Sequence, residues 1–405
     1  MAQERILSFA DAVACVQQQA AFVRSAGHER VALPAAVGRI LAADLAADRD
    51  FPAFDRSSRD GFAVHAGTRE WRVEGEVRAG DLWTGARVEA ASCIAIMTGA
   101  PVPEGADAVV MVEHVHRDGH SVVMREERTP RSGDNIVSRG SEAAKGDVVL
   151  RKGVRLGPSQ VGIAAACGCV ELPVQARPRV AVLATGDELV GLAEEPGPQQ
   201  IRNSNSYALA AAVELAGGEA AMLEPARDTV DSLKQQLRKA FECDLVLVAG
   251  GVSAGKYDLA EQVLHEQFGA EFFFTGVRMQ PGKPVVFGRS GNGKYFFGLP
   301  GNPVSALVTF GLLARPMLAA LTGEESWTPR FINASLQEEV QVAAGLTRIL
   351  PAELTSSQGG AVVRRVPWQG SGDMAALARS NAFLVLPERG GVLSENSTVT
   401  VWLAD

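Results

Sequence analysis

The stretch from 179 to about 325 constrains the fold most, because in it short apolar runs alternate with helical periodicities. Arg179-Val-Ala-Val-Leu-Ala184 and Asp244-Leu-Val-Leu-Val-Ala249 are unbroken apolar runs of strand length, which only a sheet covered on both faces buries. Between them, Asn203 or Ser204 can cap a helix running to Leu215 and ending at Gly217-Gly218. A strand is expected near Ala220–Leu223, then a helix from Val230 to Glu242 capped by Asp228, and another through Phe268 capped by Asp258. Phe272–Phe274, Val285–Phe287 and Tyr295–Phe297 supply further strands, and Pro303 opens a long helix at the position proline tolerates. Such βα alternation predicts a doubly wound, mostly parallel sheet. The C-terminal strand ends then share one edge, where such folds bind ligands.

Four loops fall on that edge. They are Thr185-Gly186-Asp187-Glu188-Leu189, the run from Gly250-Gly251-Val252-Ser253-Ala254-Gly255 through Lys256 to Asp258, Pro281-Gly282-Lys283-Pro284, and Leu299-Pro300-Gly301-Asn302-Pro303-Val304-Ser305. Glycine is in excess, 42 of 405 residues, against an ordinary share of about 7%. Its permissive backbone lets successive N–H groups converge on an oxyanion. Two of the loops feed helix N-termini, which favour negative charge, and Ser253, Ser305 and Lys283 add side-chain donors. The set suits a phosphate or another tetrahedral oxyanion. It is neither a Walker loop nor a dinucleotide fingerprint, since no G-x-x-x-x-G-K-[ST] and no G-x-G-x-x-G occurs. Asp187, Glu188, Asp228 and Asp258 lie among the same loops, and Mg²⁺ accounts for acids beside an anion site, because it takes one or two carboxylates plus phosphate oxygens. Helix capping is the plainer reading of Asp228 and Asp258. Asp187-Glu188, directly after a strand, has less need of that explanation.

The flanks differ in texture. Residues 7–45 carry one helical periodicity, and 139–178 carry a helix-like stretch at Ser159–Ala166 among scattered glycines. Residues 139–177 are therefore expected to form a linker or a half-domain that returns to 1–45. Between them, 46–138 reads as a small β domain, with Asp118-Gly119 as a hairpin signal. The α/β domain is bounded at 178–326, and the β-textured 327–405 is expected to form a compact barrel or sandwich. Two loops of the small β domain, Ser57-Ser58-Arg59-Asp60-Gly61 and Met97-Thr98-Gly99, are either plain turns or parts of a site.

Composition excludes more than it assigns. The net charge of −8 and the lack of a long Lys/Arg run argue against nucleic acid or an anionic membrane as partner. No apolar run reaches about 18 residues, and the N-terminus is polar without a signal core. Cys15, Cys93, Cys167, Cys169 and Cys243 are odd in number and scattered, and fit reduced thiols in the cytoplasm. His114-x-His116 lacks a third metal ligand, and no nucleophile elbow is visible.

The ordered set of motifs resembles the molybdopterin molybdenumtransferase (MoeA) family, which includes the gephyrin E domain. Ser-Ser-Arg-Asp60-Gly-Phe-Ala, Met-Thr98-Gly-Ala-Pro-Val-Pro-Glu-Gly-Ala-Asp107, Thr185-Gly-Asp-Glu-Leu189, Gly250-Gly-Val-Ser-Ala-Gly255, Pro281-Gly-Lys-Pro284, Leu299-Pro-Gly-Asn-Pro-Val-Ser305 and Trp368-Gln-Gly-Ser371-Gly span nearly the whole chain. The resemblance implies a four-part subunit: a MogA-like α/β domain, a small β domain, an elongated linker domain and a C-terminal β-barrel. It further implies a homodimer whose site lies between the α/β domain of one subunit and the β domains of the other. The implied reaction places molybdenum from molybdate on adenylylated molybdopterin and releases AMP with Mg²⁺ assisting. The adenylyltransferase and downstream cofactor-handling proteins are implied partners. By resemblance the catalytic set is Asp60, Thr98, Glu142, Asp187, Glu188, Asp228 and Asp258, with Asp60, Asp187, Glu188 and Asp258 on the metal. Thr185, Gly186, Gly250, Gly251, Ser253, Gly255, Lys283, Pro300, Gly301, Asn302, Pro303, Ser305, Arg348 and Ser371 are implied contacts to substrate or molybdate. Three positions depart from the family pattern: Glu142 follows Ser141 where an acidic pair is common, Gln280 replaces a lysine, and Lys256 replaces an acid. A tungstate-inserting homologue, a non-catalytic dimeric scaffold and a free-standing adenylyltransferase are the rival readings.

Overall fold

The structure, a computed structural model, describes residues 5–125, 127–251, 259–325 and 327–404. Its central sheet runs in the order Glu219–Met222, Arg179–Ala184, Leu245–Ala249, Tyr295–Leu299, Val286–Arg289, Glu271–Phe274. The first four strands are parallel, Val286–Arg289 runs antiparallel to them, and Glu271–Phe274 pairs antiparallel to that strand in turn. The unbroken apolar runs are explained by alternation across two faces. Val180, Val182, Leu245, Leu247 and Phe297 face one core with the helices Ser204–Leu215 and Pro303–Thr309. Ala181, Leu183, Val246, Val248 and Phe296 face the other, under helices Val230–Ala240 and Leu259–Phe268.

The helix opened by Pro303 continues through a π-helical turn at Phe310–Ala314 to Thr322. Its 20 residues have a mean hydropathy of 1.7 in their most apolar window, long and apolar enough to cross a membrane, but 83% of that window is buried in the protein. It is the core helix of the α/β layer. At Gly311 a Cβ would fall 2.6 Å from the Trp402 ring, so the helix and the C-terminal unit touch where no side chain fits.

The C-terminal unit is a barrel of five strands. Thr347–Ser357, Gly360–Arg365, Arg330–Leu336, Thr398–Leu403 and Ala382–Leu386 pair in that order, and the last returns to the first. Among the strands that the sequence does not signal, Gly276–Gln280 leaves the α/β layer, runs parallel to Thr347–Arg348 and carries Ile6–Ser8 on its other side. Gln280 therefore lies beside Arg348 in the register. The small β unit is a six-stranded sheet around Phe62, Trp71, Cys93 and Val110. Its hairpin turns at Gly119-His120, one residue later than Asp118-Gly119 suggests, because Asp118 itself pairs with Ser121.

The N-terminal segment packs against two units. Helix Phe9–Ala20 buries Ala12 and Val16 in the α/β core instead of in the linker unit, whose own core is Ala36, Leu41, Leu156, Ala164, Leu172 and Val174. The apolar positions at i, i+4 that signalled the helix find their partner surface on helix Arg315–Thr322. All five cysteines are free, and burial pushes the Cys93 thiol up to about 12.

Candidate active site

A cleft of about 770 Å³ opens at the C-terminal edge of the parallel strands. Each wall is the loop that follows one strand: Thr185 and Gly186, Gly250 and Gly251, and Pro300 through Pro303. The loops pack closely enough to forbid side chains. Gly250 has φ +95°, and a Cβ there would lie 2.6 Å from the Thr185 carbonyl oxygen. A Cβ on Gly301 would in turn lie 3.6 Å from Gly250 Cα, so the three loops stack on one another.

Three of the loop amides are already committed to neighbouring backbone. The N–H groups of Thr185, Gly186 and Gly250 donate to the carbonyls of Ala249, Ala226 and Leu299 at 3.0, 3.2 and 3.0 Å. Positive character comes instead from a segment that strand-end reasoning missed. Arg202, Asn203, Ser204 and Asn205 line the cleft at the N-terminus of helix Ser204–Leu215, where the helix dipole favours an anion. Asn203 caps that helix, accepting from Ser206 N–H at 3.2 Å, and Asn205 Nδ2 donates to Gly301 O at 2.7 Å. The cap was legible in the sequence; its place at the ligand edge was the unread signal. Among the described residues, Thr185 Oγ1 and Asn205 Oδ1 are buried without a hydrogen-bond partner.

The acids divide. Glu188 and Asp228 line the cleft, and Asp187 Oδ1 accepts from the Asp228 N–H at 3.3 Å. Asp228 is not the cap of helix Val230–Ala240, since the Thr229 side chain takes the Ser232 N–H. Burial, and then the charges of Asp187 and Glu188, raise the Asp228 carboxyl above the ordinary range. Asp60 stands in the small β unit instead. Its Oδ1 accepts from both Thr98 N–H at 2.7 Å and Thr98 Oγ1 at 2.9 Å, which lowers its pKa. Among the described residues of one chain no three of His, Cys, Asp and Glu gather as a metal-binding group, and Asp60 stands on a different unit from Asp187 and Glu188.

The other expected residues fall as follows. Glu142 Oε1 is ion-paired with Arg56 Nη2 at 2.7 Å. Lys283 is exposed and off the cleft wall, although Pro284 lines it. Ser305 is buried in the first turn of its helix and does not reach the cleft. Ser371 approaches through its carbonyl, which accepts from Val304 N–H at 3.0 Å, and half-buried Arg348 donates to the Ala343 carbonyl. Ser253, Gly255, Lys256 and Asp258 lie outside the described residues.

Comparison with known proteins covers the chain in three parts. The profile of the MoeA N-terminal region (domain I and II) matches residues 7–168, that of a probable molybdopterin binding domain 181–320, and that of the MoeA C-terminal region (domain IV) 333–404. A molybdopterin molybdenumtransferase of Staphylococcus aureus is 34% identical over 385 residues, covering 93% of this chain and 91% of its own. One from Staphylococcus epidermidis is 33% identical over 365 residues, covering 88% and 86%. The crystal structure of a molybdopterin biosynthesis MoeA protein from Pyrococcus horikoshii superposes with a TM-score of 0.80 at 30% identity, covering 98% of this chain and 100% of that one. With identity and architecture agreeing over nearly the full length, the chain belongs to the molybdopterin molybdenumtransferase (MoeA) family.

Proposed function

We propose that this transferase of molybdenum cofactor biosynthesis takes adenylylated molybdopterin and molybdate, transfers molybdenum to the dithiolene sulfurs, and releases AMP. The observation that carries the reading is the cleft itself. It joins a helix N-terminus and Arg202 to the carboxylates Glu188 and Asp228 across a floor of glycine loops. A phosphate-bearing ligand needs the first and a divalent cation needs the second. The orphaned Thr185 Oγ1 and Asn205 Oδ1 add polar atoms that a bound ligand would satisfy.

The donor set fits Mg²⁺. It is all oxygen, and Asp228 is crowded by like charges that a cation would relieve. Glu188 and Asp228 would hold the ion, with Asp187 steadying Asp228 through its N–H. When bound, the ion would polarise the phosphoanhydride and offset its developing charge. Glu188 is the residue we place to accept the proton of the attacking water as its oxygen bonds phosphorus and AMP departs. Arg202 and the helix beginning at Ser204 would orient the phosphate. Asp60 with Thr98 would act from the small β domain of a second subunit.

That last role requires a homodimer, and one face of the α/β domain suits it. Leu215 and Tyr207 are 75% and 47% exposed on helix Ser204–Leu215, beside a groove lined by Ala208, Ala211, Ala212, Leu307 and Phe310. Exposed apolar side chains of this kind support pairing with a second copy. The free thiols suit a cytoplasmic site of action, within reach of the adenylyltransferase that supplies the substrate and the proteins that take the product. The test is AMP release from adenylylated molybdopterin with and without molybdate and Mg²⁺. Release that depends on both is expected, and release independent of molybdate would overturn the reading. Tungstate in place of molybdate measures the metal preference.

A further inference from the structure

We propose that Arg56 and Glu142 form a clasp across the neck of the small β domain, and that this pair positions Asp60 and Thr98 without touching substrate or metal. The inference rests on the reading of Asp60 and Thr98 as site residues.

Two strands of chain make the neck, one entering near 46–58 and one leaving near 134–146. Backbone bonds lace its base. Phe51 bridges Ala143, Glu142 N–H donates to Phe51 O at 2.9 Å, and Gly140 N–H donates to Pro52 O at 3.0 Å. Arg139 adds two more links, its N–H to Asp55 Oδ1 at 2.8 Å and its Nε to Asp50 Oδ2 at 2.7 Å. Farther out, Arg56 pairs with Val137 in a two-residue ladder and bridges Pro101. The next residue, Ser57, is buried; its N–H donates to Ala100 O at 3.0 Å, and its carbonyl accepts from Gly99 N–H at 2.8 Å. The backbone of Arg56 therefore belongs to the same knot of chain that presents Thr98 and, through Thr98, Asp60.

The Arg56 side chain leaves this knot for the other leg of the neck, where Nη2 meets Glu142 Oε1 at 2.7 Å. Among the described residues its Nε is buried and without a partner, and the contact to Glu142 is the side-chain bond that holds the guanidinium. The two side chains are 39% and 53% exposed. At that exposure an ion pair contributes at most about 1 kcal/mol of stability. It does, however, tie the site-bearing knot to the neck. Misplacing a catalytic group by about 1 Å can cost 10²-fold in rate. The pair matters for orientation more than for stability.

The test uses full-length Arg56→Ala, Glu142→Ala and the charge swap Arg56→Glu/Glu142→Arg. In each single variant we expect kcat for molybdate-dependent AMP release to fall on the order of tenfold, with KM within about twofold and Tm within about 2 °C. The swap should recover most of kcat, which a residue in contact with substrate or metal could not do. Amide hydrogen exchange over 56–61 and 97–101, measured without substrate, should quicken in the single variants and slow again in the swap. Unchanged exchange in both single variants overturns the clasp whatever the wild type catalyses. A swap as inactive as Glu142→Ala overturns it too, and places Glu142 on the reacting atoms. A wild type without molybdate-dependent turnover would sink the functional reading alone, leaving the exchange data to judge the clasp.

Discussion

Asp60 and Asp228 are carboxylates of one proposed reaction, yet the fold treats them in opposite ways. Asp60 is completed by its own domain: the Thr98 N–H and hydroxyl converge on one oxygen and hold its pKa down. Asp228 is left incomplete, since burial and the charges of Asp187 and Glu188 push its pKa up and, among the described residues, its bond to Asp187 uses its N–H and not its carboxylate. An acid supplied with donors is a fixed, preorganised group. An acid crowded by like charges is held in an arrangement that a cation would complete, at a cost to the empty protein. The small β domain thus supplies orientation, and the α/β cleft supplies unspent charge.

The largest effect should come from removing charge at the cleft. Glu188→Ala is expected to lower kcat by about 10²–10³ and to abolish stimulation by Mg²⁺, measured as AMP release. An equal loss with Mg²⁺ dependence intact would break the comparison, because the cluster would not be the cation's seat. A second break-point is Glu324, another acid that the fold completes. Burial alone would raise its pKa, but hydrogen bonds and charge from Arg155, then from Arg315, outweigh burial and hold it down. Its side chain is 8% exposed and bonded to Arg155 at 2.9 and 2.7 Å. Glu324→Ala should cost about 3 kcal/mol by removing the buried carboxylate that Arg155 and Arg315 share, read as a fall in denaturation midpoint with little change in KM. The sign with pH follows from the depressed pKa. The stabilisation is present above the unfolded-state pKa, near 4.3, and is lost as pH falls through the lower folded value. The wild type should therefore lose its advantage over the variant only in acid below about pH 4.

Thr98→Ala should have a smaller effect, because it removes one of two donors and the backbone N–H at 2.7 Å remains. A several-fold fall in kcat is expected, with Asp60→Asn at least as impaired. If Thr98→Ala proved as inactive as Glu188→Ala, the hydroxyl would have to act on substrate directly.

The comparison also shows what the sequence could disclose. Strands such as Arg179–Ala184 and Leu245–Ala249 were legible because burial on both faces demands unbroken apolar runs, and their ends located the cleft. The roles of the loop amides were not legible, since whether the Gly250 N–H faces a ligand or the Leu299 carbonyl depends on how neighbouring loops stack. Ser305 shows the same limit from the other side: its helix turns it into the core, 3% exposed, although its motif suggests a contact. Asp228 looked like a cap because the residue before a helix is favoured for that task, and one position decided the matter when Thr229 took it. The neck pairing of Glu142 with Arg56 joins residues 86 apart in sequence, beyond the reach of any local pattern.

The smallest effect is the sharpest test of an unfinished acid. Because folding raises the Asp228 pKa, the ionised group opposes folding. That penalty is absent below the unfolded-state pKa and is complete once pH has risen through the higher folded value. At neutral pH, Asp228→Asn should therefore stabilise the metal-free protein, raising Tm by about 1–2 °C while removing activity. Mg²⁺ should reverse the ranking, because an ion that binds only the folded state stabilises the wild type by RT ln(1 + [Mg²⁺]/Kd) and has lost a ligand in the variant. Thermal melts of both proteins across a Mg²⁺ titration should cross. Parallel curves, with the variant below the wild type throughout, would mean that Asp228 is already satisfied within the fold and that its likeness to Asp60 outweighs the contrast.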